Sequence, residues 1–132
     1  MTKLDPKRAR ALATRAWQAV SSGDVSALET IYNDDIVWHV SGRGPRAGDH
    51  RGREAVLGYL ASVGEAAERF EASLEDVLVG DERLAFLMRA TGRREGRTLD
   101  ATYIILVRLE NGRLAEVWST AFDQHAVDAF WA

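Results

Sequence analysis

The sequence predicts an α+β fold, with helices gathered ahead of an antiparallel sheet. Three observations carry this reading. Apolar residues recur at helical spacing from Leu12 to Val63, they alternate from Phe70 to Phe122, and glycine-bearing turns punctuate the alternating half. At 132 residues, 46% hydrophobic and 28% charged, the chain has room for one domain, 1–132, with a real core.

Asp5-Pro6 predicts a helix start, because Asp caps free amides and Pro fits the first helical position. Leu12, Ala16, Ala19 and Val20 continue that helix, with Trp17 beside them, until Gly23 stops it. Asp24 caps a second, shorter helix through Ala27, Leu28, Ile31 and Tyr32. After the turn Asn33-Asp34-Asp35, the β-branched and aromatic run Ile36 to Val40 predicts a short strand. Ser41 to Gly52 holds Gly42, Gly44, Pro45 and Gly48 and predicts a loop; a third helix follows with Ala55, Val56, Tyr59, Leu60 and Val63 on one face. Four strands are then expected: Phe70 to Val79, Arg83 to Gly92, Thr98 to Leu109 and Arg113 to Phe122. Gly80-Asp81, Arg94 to Gly96 and Asn111-Gly112 supply their turns. Asp123 caps a last helix bearing Ala126, Val127, Phe130 and Trp131.

Composition excludes several functions. A net charge of −3 sets up no field for nucleic acid or an anionic membrane. The absence of cysteine removes disulfides, thiolate zinc sites and cysteine nucleophiles. No run of eighteen apolar residues occurs and the N-terminal string carries no signal-peptide pattern, so a cytoplasmic location is expected. The three histidines lie on different elements with no metal-ligand spacing. Phosphate-binding glycine motifs and a Gly-x-Ser-x-Gly elbow are also lacking, so neither a metal nor a cofactor is implied.

Several strings, in this order, carry a resemblance. They are Gly23-Asp24, Asp34-Asp35-Ile36-Val37-Trp38, Gly52-Arg53-Glu54-Ala55-Val56 and Asn111-Gly112-Arg113-Leu114-Ala115-Glu116-Val117-Trp118. Together they resemble the SnoaL-like branch of the nuclear transport factor 2-like superfamily, polyketide cyclases and ketosteroid-isomerase relatives, over nearly the whole chain. The resemblance implies a cone-shaped, curved, mostly antiparallel sheet. Three N-terminal helices would pack on its concave face, with a short C-terminal helix, a pocket in the mouth and pairing of two copies through the sheet. Members of this superfamily include isomerases, cyclases, hydrolases, dehydratases and proteins without catalysis, so the site has to be read by residue.

Against the family's chemistries, the steroid-isomerase base falls on Val40 and its two acidic donors fall near Ala16 and at Ile105. None of these moves a proton. For an epoxide hydrolase, Arg89 matches the arginine, but the two carboxylate positions fall on Thr91 and Ser119. Asp123 is the candidate for the late-sheet acid/base of the polyketide cyclases. The family register turns Trp38, Val40, Leu87, Arg89, Thr91, Ala101, Tyr103, Ile105 and Val107 inward. On the last strand the inward set is either Val117, Ser119 and Ala121 or Trp118 and Thr120, with register favouring the former.

The expected catalytic candidates are therefore His39, Arg89, Tyr103 and Asp123, and each has a structural alternative. Arg89 is an oxyanion donor or one half of a salt bridge. His39 is a proton carrier, or by strict alternation an outward group at a loop or dimer contact. Tyr103 donates to a substrate oxygen or fills the cone, and Asp123 is an acid/base or a helix cap. Trp38, Val40, Leu87, Thr91, Ile105, Val117, Trp118 and Ser119 are the expected substrate-binding residues. Arg43, Arg46, His50, Arg51 and Arg53 gather on the Gly/Pro loop, as an anion grip or a solvated surface. Such a lining suits a mainly apolar small molecule with one oxygen or carboxylate, handled as a substrate or merely carried.

Overall fold

The computed structural model describes residues 5–132, so residues 1–4, the start of the string read as lacking a signal peptide, lie outside it. Helix α1 (Pro6–Ser22) begins on Asp5, whose side chain accepts from the Lys7 amide, and ends on Gly23 at φ 68°. Asp24 caps α2 (Val25–Ile31) by accepting from the Ala27 amide. Strand β1 (Tyr32–Val40) follows without a break, so the strand starts four residues before the Ile36 expected and takes Tyr32 from the second helix. Its pairing is irregular between Tyr32 and Val37, which is where the Asn33-Asp34-Asp35 turn signal falls.

The expected loop from Ser41 to Gly52 contains a further strand, β2 (Gly48–Arg51), antiparallel to β1 with Trp38 opposite His50. Nothing in Gly48 to Arg51 alternates, which is why sequence pattern missed this edge strand; it forms because β1 offers it a free edge. Helix α3 (Arg53–Ala66) comes next, then the long strands β3 (Arg69–Val79), β4 (Arg83–Arg94), β5 (Arg97–Glu110) and β6 (Arg113–Ala121), and α4 (Gln124–Trp131). Both long hairpins turn on two residues with positive φ, Glu95-Gly96 and Asn111-Gly112, the geometry that matches strand twist.

Among the described residues the strands form one curved, open sheet ordered β2-β1-β6-β5-β4-β3. Every pairing is antiparallel except β1 with β6, which is parallel. Helix α1 packs on β3 and β4, α2 on β1 and β6, and α3 on β1 and β2, while α4 closes over β5 and β6. No helix of the described residues is long and apolar enough to cross a membrane.

The core divides into two clusters. The larger gathers Leu12, Ala16, Leu28, Ile31, Ile36, Val56, Leu84, Val107 and Val117 beneath the first three helices. The smaller packs Val127 and Phe130 of α4 on Ala90, Leu99, Ala101 and Ala121. Neither cluster fills the space between sheet and helices, and that space is the candidate site.

Candidate functional site

Between the concave sheet face and α1, α3 and α4 lies a cavity of about 670 Å³. Its walls are mostly apolar and aromatic: Trp17 from α1, Tyr59 and Leu60 from α3, Trp38 and Val40 from β1, Phe86 and Met88 from β4. Tyr103, Ile105 and Val107 of β5, with Val117 and Ser119 of β6, complete the sheet side. The Ser41–Ala47 segment and Gln124, Asp128 and Trp131 of α4 also line it. A space of this size and lining suits a small organic molecule.

The polar groups in this lining are few and placed by identifiable contacts. Ser119 is only 7% exposed, and its Oγ accepts from the Trp38 indole Nε1 at 3.3 Å. Burial pushes the Tyr59 hydroxyl up to about 12, against the opposing pull of the Arg46 charge and the Ser119 side chain. The Tyr103 hydroxyl is likewise pushed up to about 12, first by burial and then by neighbouring Tyr59, with the Asp128 charge adding to the rise and the Trp131 side chain opposing it. Both phenols therefore stay protonated donors at neutral pH. The Asp128 carboxyl is held below the usual range, first by the Arg43 backbone N–H donating to Oδ1 at 3.1 Å and then by the Gln124 amide, also at 3.1 Å.

The entrance is stitched together by the loop before β2. Arg46 Nε donates to Ser62 Oγ of α3 at 3.1 Å, and its guanidinium lies 5.1 Å from the centre of the Trp131 ring. His50 stacks on Tyr59 with ring centres 4.5 Å apart and bonds through Nε2 to the Arg46 carbonyl at 2.8 Å. Gly42 has φ 99°, a conformation strained for other residues, and a Cβ there would also push aside the side-chain ends of Asp128 and Gln124.

The expected site residues divide on this geometry. Trp38, Val40, Tyr103, Ile105, Val117 and Ser119 line the cavity. Arg89, Leu87 and Thr91 do not; their expected inward placement is corrected. Phe86 pairs with Ile105 and Met88 with Tyr103, which turns the even-numbered residues of β4 inward and Arg89 out. Arg89 is half-exposed and grips Asp100 with two bonds, Nε to Oδ1 at 2.8 Å and Nη2 to Oδ2 at 2.6 Å, which is the salt-bridge alternative.

Trp118 is also outward, its ring stacked on His39 at 5.5 Å, so the register with Val117 and Ser119 inward is the one present. His39 lies on the convex face, away from the cavity: Nδ1 is 2.6 Å from Asp49 Oδ1 and Nε2 is 2.6 Å from Glu116 Oε2. Asp123 is exposed and caps α4 through the Ala126 amide, outside the cavity lining. Tyr59, Asp128 and Trp131 are lining groups that sequence reading placed elsewhere, on a core helix face and a terminal helix, and Arg46 lines the cavity as the anion-grip alternative for its loop would have it, not the solvated one. A signal existed for one of them: Tyr59 shares the apolar face of α3 with Leu60 and Val63, which are lining residues too.

A cone of sheet and helices around a mostly apolar cavity defines a class of small α+β proteins. Within that class the SnoaL-like domain matches residues 13–117, and the chain belongs to this family. Bal32a, from a soil-derived mobile gene cassette, is 32% identical and superposes with a TM-score of 0.90, over 96% of this chain and 98% of that one. An NTF2-like protein from Burkholderia xenovorans LB400 is 21% identical with a TM-score of 0.83, over 96% and 97% of the two chains. A protein assigned as a SnoaL-like polyketide cyclase, from Jannaschia sp. CCS1, is 16% identical with a TM-score of 0.79, over 100% and 99%. The last two likenesses show the fold alone. No protein of curated function matches the chain in sequence.

Proposed function

We propose that this SnoaL-like chain binds a mainly apolar, oxygenated small molecule in the cone and moves a proton on it without a cofactor, as an isomerase, cyclase or hydratase does. The observation that carries this reading is the cavity of about 670 Å³ whose aromatic walls hold two protonated phenols, Tyr59 and Tyr103, near one carboxylate, Asp128. In this reading a substrate carbonyl accepts hydrogen bonds from the phenols. The ionised Asp128 takes a proton from the adjacent carbon, and the C–H electron pair moves onto the carbonyl oxygen as an enolate. The phenols stabilise that oxygen, and the proton returns at the same or a conjugated carbon. Asp128 takes the role expected of Asp123, and Tyr103 keeps the one expected of it.

The test uses 1-tetralone, an apolar ketone small enough for the cavity. Saturable quenching of tryptophan fluorescence that Ile105→Trp abolishes supports binding in the cone. Deuterium exchange at its α-carbon, followed by NMR, reads the chemistry. The wild type should speed exchange over buffer, and Asp128→Asn should lose about 10²- to 10⁴-fold of that gain. Tyr59→Phe with Tyr103→Phe should slow it further. Saturable binding with no exchange would favour the carrier reading, which has its own support: no carboxylate lines the cavity deeper than half-buried Asp128 and exposed Glu71.

A second copy of the chain is the expected partner, paired through the convex sheet face. Neither nucleic acid nor a membrane is a proposed partner, and the cytoplasm is the proposed location.

A further inference from the structure

Arg46 is the cavity-lining group that the chemistry above leaves unexplained. Among the described residues its Nε alone is engaged, on Ser62 Oγ, while its two Nη groups make no hydrogen bond and no ion pair with any carboxylate. It differs in this from arginines such as Arg89, Arg53 and Arg108, which are paired with Asp100, with Asp34, and with Glu110 and Glu116. Arg46 is half-buried, and it is immobilised from three sides, by Ser62, by the Trp131 ring, and by His50 bonding to its backbone carbonyl. A guanidinium held in place with its paired Nη donors unused has the geometry that recognises a carboxylate. The neighbouring acid, Asp128, is occupied instead by the Arg43 amide and Gln124, and lies beyond ion-pair distance of Arg46.

We propose that the ligand of this cavity carries a carboxylate at the end that faces the entrance, bound by Arg46, with its apolar body in the cone against Tyr59 and Trp38. This rests on the reading of the cavity as a small-molecule site and adds the charge of what it takes. Arg46 is then a specificity-determining residue: it selects an apolar acid over the corresponding neutral molecule and orients it, charged end outward and apolar end toward Val107 and Val117.

The experiment compares 2-naphthoate with 2-naphthamide, which share shape and differ in charge, by calorimetry at pH 7 on the wild type, Arg46→Gln and Arg46→Lys. The wild type should bind the acid about tenfold or more tighter than the amide. Arg46→Gln should bring the two affinities together by weakening the acid alone, and Arg46→Lys should keep part of the preference. The preference should also shrink as salt is raised. Equal affinities in the wild type, or a preference that survives Arg46→Gln, overturn the charge assignment while leaving the cavity reading intact. Binding of neither compound, with tetralone also failing to bind, overturns both.

Discussion

His39 shows how a residue type associated with catalysis can be wholly committed to holding strands together. Both ring nitrogens meet carboxylates at 2.6 Å, Asp49 on β2 and Glu116 on β6, and only the protonated ring can donate to both. Its pKa is raised, first by the bond to Glu116, against the cost of burial, then by Asp49; Glu116 and Asp49 are lowered in turn, each first by the bond to His39. Arg108 and Arg51 are the remaining charges around this cluster, pairing with Glu116 and Asp49. A raised histidine pKa gives stability that is fully present below the unfolded value of about 6.5 and is lost as pH rises through the folded value. The two lowered carboxylates contribute stability present above their unfolded values and lost as pH falls through their folded ones. Denaturant midpoints should therefore decline from neutral to mildly alkaline pH in the wild type, and His39→Gln should flatten that decline. An unchanged slope in the variant would refute the role.

At the level of elements, one strand separates what was legible from what was not. The helices, their Asp caps, the long strands and both two-residue turns could be read from periodicity and turn chemistry, because those signals are local. The inward parity of β5 and β6 was legible as well. The family register puts that of β4 one residue off, although the chain itself contains the correction. A two-residue turn at Glu95-Gly96 pairs odd positions of β5 with even positions of β4, so Tyr103 and Ile105 inward require Met88 and Phe86 inward. Asp128 was not legible as a lining group, and Arg46 only as one of two alternatives for its loop, since their placement depends on how the Ser41–Ala47 segment crosses α4. That crossing turns on Gly42. Gly42→Ala, which meets Asp128 and Gln124 at a positive φ, should destabilise by about 1–3 kcal/mol in chemical denaturation and weaken tetralone binding. A neutral effect on both would mean the loop does not need this close approach.

Across the whole molecule, the sheet presents two different faces. The concave one makes the cavity. The convex one carries a continuous row, Leu78, Ala85, Leu106 and Trp118, one residue from each of β3 to β6, ending at His39 on β1. Leu78 is 51% exposed and Leu106 37%, an apolar stripe of the kind that paired copies cover. If the proposed pairing uses it, Leu106→Glu should halve the mass measured by light scattering while leaving the cavity's ligand affinity within about twofold of wild type. An unchanged mass would move the interface elsewhere.

The parallel pairing of β1 with β6 also governs the order in which the chain can become itself. Strands β3 to β6 join through short turns and can zip locally, but Trp38 meets Val117 only after the intervening chain has closed into one long loop. During synthesis, the first three helices and β1 emerge with no sheet partner but β2, and they must wait for the last strand to leave the ribosome. The chamber is thus the final thing to exist: a nascent chain halted before β6 can hold helices and hairpins but no interior.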